Sequence, residues 1–107
     1  MANTYVNAKV DLTTTNITTL YTCAALTTGI VKSIIVSEDS NNADTITLTI
    51  TDASSAVFSI YKTKAVSANG TVELLTAPLV VQAGEILKVT AATANRLHVV
   101  ASILEIT

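Results

Sequence analysis

Glu38, Asp39, Asn41, Asn42 and Asp44 place five oxygen-bearing side chains in one short segment. Hard cations such as calcium take several oxygen ligands from such a segment. The spacing departs from a calcium loop. Counting from Asp39, the sixth position is Asp44 where the turn needs glycine, and no glutamate follows at the twelfth. The segment is therefore expected as a solvated loop, on the general turn preference of Asp and Asn. His98 is the single histidine and would act as a general base only with a nucleophile and an orienting group in reach, yet no local motif pairs it with Ser, Asp or Cys23. It is expected as a structural or surface histidine. Cys23 stands alone, which excludes an intrachain disulfide and a thiolate metal pair. Gly29, Gly70 and Gly84 are too dispersed to cradle a phosphate. Asn16-Ile17-Thr18 and Asn69-Gly70-Thr71 match the glycosylation triplet, as a threonine-rich chain does by chance. No catalytic residue, metal or cofactor is assigned, and the chain is read as no enzyme.

The elements that would position these residues are strands. Thr45 to Thr51 alternates strictly, with Ile46, Leu48 and Ile50 on one face and threonines on the other, the period of a half-buried strand. Tyr5 to Leu12 repeats the pattern: Val6, Ala8, Val10 and Leu12 face inward, and Tyr5, Asn7, Lys9 and Asp11 outward. Further strand-forming segments are expected at Ile17 to Cys23, Ile30 to Ser37, Ala56 to Lys62, Lys64 to Ser67, Thr71 to Leu75, Leu79 to Gln82, Ile86 to Ala91 and Leu97 to Ile106. Asn69-Gly70 predicts a type I′ hairpin joining its two flanking strands. Two strands are apolar on both faces. In the first, Ile30, Ile34 and Val36 oppose Val31 and Ile35. In the last, Leu97, Val99, Ala101 and Ile103 oppose Val100, Leu104 and Ile106. Eight or nine short strands without a helical-period segment predict an all-β fold, an antiparallel β-sandwich of jelly-roll type. The 107 residues are read as one domain (1–107), with Met1 to Thr4 as an extended arm.

Half of the residues are hydrophobic and only 13% are charged, so the outer faces lack polar cover and partners are expected. The net charge is −2 and the six basic residues are dispersed, which argues against nucleic acid. No basic stretch followed by an apolar run opens the sequence, and no segment approaches the roughly 20 apolar residues that span a bilayer. The expectation is a chain made in the cytoplasm, without a membrane partner.

Several segments resemble small virion structural proteins of tailed bacteriophages: Leu20-Tyr21-Thr22, Gly29-Ile30-Val31-Lys32-Ser33-Ile34-Ile35-Val36, Ala43-Asp44-Thr45-Ile46-Thr47-Leu48, Pro78 to Val89 and Val99 to Ile106. The loop before the second of these often reads Val-Pro-Ala-Gly in that family and is Cys23-Ala24-Ala25-Leu26 here. The resemblance implies a jelly-roll-like sandwich that assembles on the virion. It would be a capsid decoration (cement) protein bridging capsid subunits, or alternatively a tail, baseplate or fibre component. A carbohydrate- or ligand-binding module is a further alternative, weakened by the presence of only four aromatic residues. The expected partners are further copies of the chain, as a homotrimer, and the major capsid protein or another virion protein. The expected location is the capsid surface. Thr4, Tyr5, Ile30, Ile34, Val36, Leu97 and Val99 are the expected subunit interface.

Overall fold

A computed structural model describes residues 2–107. Alternation produces nine strands: β1 (Asn3–Asp11), β2 (Thr18–Thr22), β3 (Thr28–Glu38), β4 (Asp44–Thr51), β5 (Val57–Val66), β6 (Thr71–Glu73), β7 (Leu79–Val81), β8 (Ile86–Ala91) and β9 (Leu97–Ile106). They form two antiparallel sheets, ordered β1-β9-β3-β6 and β2-β8-β4-β5, with β7 also on the free side of β3. Because β6 and β7 share one edge, pairing with opposite ends of β3, they fill the place of a single strand. With β6 and β7 counted as one strand, the strand orders of the two sheets are those of a jelly roll. The fold class expected from the pattern is thus the one observed.

One face of each sheet is dry. Val31, Ile34, Val36, Leu97, Val99 and Ala101 from the first sheet meet Ile46, Leu48, Leu87, Val89 and Ala91 from the second, all buried. Val6, Ala8 and Val10 of β1 pack against this core, while Tyr5, Asn7, Lys9 and Asp11 face out.

Four expectations need correction. In β3 the pairing with β9 slips between Val31 and Ser33, a bulge that adds a residue and reverses the facing of everything before it. Val31 therefore lies in the core and Ile30 on the outer face, the reverse of simple alternation. The bulge leaves the Ile34 amide without a strand partner, and Glu73 supplies one: its carboxylate accepts from Ile34 N at 2.8 Å, from Leu75 N at 3.1 Å and from Ser33 Oγ. Burial would raise the Glu73 pKa, but these donors hold it below the usual range.

Secondly, Ile34, Val36, Leu97 and Val99 are fully buried between the sheets, so they have no surface to offer a second subunit. Of the expected interface only Thr4, Tyr5 and Ile30 keep exposed area. Thirdly, Asn69-Gly70 closes no hairpin, because β5 and β6 belong to different sheets. The turn runs from Ser67, whose carbonyl accepts from Gly70 N at 2.9 Å, with Asn69 at φ 54°. It carries the chain across the sandwich, and the strand expected at Lys64 to Ser67 is the end of β5. Fourthly, the expected N-terminal arm is part of the sheet. Asn3 and Thr4 pair with Ile106 and Glu105, and Thr107 N donates to Ala2 O at 3.0 Å. Met1 lies outside the described residues.

Candidate functional site

The acidic segment is a folded plug. Glu38 is buried, and its carboxylate accepts from Ser40 N at 2.6 Å, Asn42 N at 3.1 Å, Asn69 N at 2.9 Å and Ser40 Oγ. Burial alone would raise its pKa. The donors outweigh that and lower it to about 2. Asp44 is spent likewise on Thr45 N at 2.8 Å and Thr93 N at 3.1 Å. These carboxylates bind backbone amides and tie the β3–β4 loop to the β5–β6 turn and the β8–β9 loop. Among the described residues no group of three or more His, Cys, Asp or Glu side chains converges as a metal site would require.

His98 faces outward from β9, in register with Asp11 of β1 and Ser37 of β3. The row thus holds Asp, His and Ser side by side. Its geometry is not that of a nucleophile and base. Nε2 lies 3.2 Å from Asp11 Oδ1 and Nδ1 lies 3.5 Å from Asp39 Oδ2, so both ring nitrogens face carboxylates. Neither is left for the Ser37 hydroxyl. A shallow groove beside it is lined by Lys9, Asp11, His98 and Val100.

Cys23 is buried and donates to Thr27 O at 3.2 Å, which fixes the loop before β3. In that loop Leu26 stands at φ 59° and is 92% exposed, an unusual conformation for a bulky residue. Nearby, Tyr21 donates to Glu105 Oε2 at 2.6 Å inside the sandwich. Burial, and then this hydrogen bond, push the phenol pKa well above its ordinary value. Tyr21 has room only because residue 29 is glycine: a Cβ there would stand 2.9 Å from the Tyr21 hydroxyl.

The outer face of the first sheet is the strongest site. Register aligns Tyr5 with Leu104, Leu104 with Ile30 and Ile30 with Val80, an apolar row running across β1, β9, β3 and β7. Tyr5 is 75% exposed and Val80 51%. A second row joins Lys9, Val100, Ile35 and Glu73, apolar in the middle and charged at its ends. Asn7, Ser102 and Ser33 lie between the two. The rows are about 13 Å apart, four strand residues along β1. Comparison of the sequence with protein-family models and with curated proteins finds no match. The outer face of the second sheet is more polar. It carries Thr45, Thr47 and Thr49 beside Thr90 and Lys88, with exposed Val57 at one end of its edge strand.

Sequence reasoning found Tyr5 and Ile30 but missed Leu104 and Val80 as their neighbours. Each is an ordinary strand residue, and only pairing across four strands collects them.

Proposed function

We propose that this chain is a non-enzymatic structural protein of a tailed-bacteriophage virion, a decoration protein that sits on the capsid surface and bridges neighbouring capsid subunits. The observation that carries the reading is the row Tyr5, Leu104, Ile30 and Val80 on a sheet face that no other element covers among the described residues. Contiguous apolar side chains on an exposed face cost free energy in water and are relieved by docking. The flanking charges, Lys9 and Glu73, give such a contact its polar rim. The resemblance of the strand segments to virion proteins supplies the class of partner, the major capsid protein or another virion protein.

The jelly roll suits this work. Its core is sealed between the sheets, and Glu38 and Asp44 tie the β3–β4, β5–β6 and β8–β9 connections to one another. The test is to separate mature capsids from tails of the encoding phage and quantify the chain in each. The decoration reading expects many copies on capsids. Recovery from tails alone overturns it in favour of a tail component, and absence from both overturns the virion role itself.

A further inference from the structure

The two sheets have four edges, and three are blunted. β6 and β7 are three residues each, with Pro78 just before β7. β2 has five residues and a register shift. β5 has two shifts and Thr63 at φ 52°. Such breaks are how proteins discourage edge-to-edge pairing. β1 has none of them: nine residues pair with β9 in unbroken register, without proline or positive φ.

The open side of β1 can be assigned atom by atom. Leu12 N donates to Leu97 O and Thr107 N donates to Ala2 O, each at 3.0 Å, so even-numbered residues point their amides and carbonyls at β9. By the alternation of an antiparallel ladder, Asn3, Tyr5, Asn7, Lys9 and Asp11 point theirs at the open edge. All five residues are exposed. Within the described residues their amides have no partner, and of their carbonyls only that of Asp11 is used, by Thr13 N at 2.9 Å.

We propose that β1 pairs with β1 of a second copy, antiparallel about a two-fold axis through Asn7, and fuses the two first sheets into one. A second copy is the occupant because the edge is complementary to itself. Centred on Asn7, the five residues face one another: Asn3 faces Asp11, whose carbonyl would accept a second bond beside that from Thr13 N, Tyr5 faces Lys9 and Asn7 faces Asn7, with no like charges opposed. Tyr5 and Lys9 then form a cross-strand cation–π pair on the outer face, twice per interface. An axis through Lys9 would oppose the two lysines, and axes through Tyr5, Val6 or Ala8 leave part of the open edge unpaired. The pairing also lines up the Tyr5 row of one copy with the Lys9, Val100 and Ile35 row of the other, so that two apolar stretches meet across a Tyr5–Lys9 seam. This is an isologous pair, in place of the expected three-fold ring. It goes beyond the virion reading and does not depend on it: a monomer in solution would leave that reading intact, and absence from virions would leave the pairing intact.

Mass across a dilution series tests the pairing, with two chains expected. Asn7→Pro removes an amide that points away from β9, so the fold and its cooperative melt are retained while the mass falls to one chain. Register is read by cysteine pairing under a mild oxidant, since Cys23 is buried. With the Cα atoms about 5.5 Å apart, Asn7→Cys gives a covalent dimer. Lys9→Cys gives none, because its copies lie about 14 Å apart. A mixture of Tyr5→Cys and Lys9→Cys chains yields the mixed dimer. Wild-type protein that is monomeric throughout, or trimeric, overturns the proposal, as does cross-linking of Lys9→Cys as readily as Asn7→Cys. Should Asn7→Pro fail to fold, the cysteine contrast decides on folded protein.

Discussion

Replacing Val31 and Ile30 by alanine, one at a time, tests the bulge in β3 and hence the face that meets solvent. Val31 is wholly buried between the sheets, and Ile30 is half-buried on the outer face. Val31→Ala removes two methyl groups from a dry site. At about 0.8 kcal/mol for each buried carbon, with a cavity contribution added, the loss is about 2–3 kcal/mol. Ile30→Ala removes more carbon, but the space left is open to water, and the loss is about 1 kcal/mol or less. For a domain near this size, roughly 4–8 °C per kcal/mol makes this about 8–24 °C for Val31→Ala against a few degrees for Ile30→Ala. Urea unfolding at one fixed protein concentration gives both values, provided the slope is common to all three proteins. An unbulged strand reverses the order. If Ile30→Ala costs as much as Val31→Ala at equal slope, the face assignment is wrong, and with it the apolar row.

Leu26→Gly should raise stability by about 0.5–1 kcal/mol, because it relieves a left-handed conformation costing roughly 1–2 kcal/mol while loosening the unfolded chain by somewhat less; the melting midpoint then rises by a few degrees. Gly29→Ala should lower stability by about 1–3 kcal/mol, as its Cβ meets the Tyr21 hydroxyl at 2.9 Å and forces the ring off Glu105. Near-ultraviolet circular dichroism should report the displaced tyrosine. Glu38 has its pKa lowered from 4.5 to about 2 by folding, so its contribution is complete above about pH 4.5 and is lost as pH falls towards 2. Urea midpoints should therefore drop across that window, and Glu38→Gln should be less stable at neutral pH with a flatter acid limb. An unchanged acid limb would remove Glu38 from the account of the loops.

The strands were legible where alternation meets turn residues. Ile86–Ala91 and Leu97–Ile106 begin and end where the sequence pattern places them, because Ala83-Gly84-Glu85 and the polar stretch Thr93 to Asn95 bound clean runs. β3 was misread at its start for a physical reason. With Ile30, Val31, Ile34 and Ile35 all apolar, a one-residue slip leaves the pattern equally satisfied, and only pairing with β9 shows which side is dry. Asn69 does adopt the positive φ its type suggests, yet which sheet the next strand joins is set by packing rather than by the turn. Glu38 looked like a solvated charge because its partners are mostly backbone amides, which carry no signature in a sequence. The apolar row was invisible as a row. Its members come from four strands, and register alone brings them side by side.

Under the proposed function, the outer face of the first sheet is what docks on the virion shell. The most direct test of this docking is co-sedimentation with capsids lacking the chain, comparing wild type, Ile30→Asp/Val80→Asp, and Thr47→Asp/Thr49→Asp on the opposite sheet, each first shown to be folded by its cooperative melt. The first double variant is expected to lose binding while the second binds as wild type does. Equal binding by all three, or loss only in the threonine variant, would contradict it.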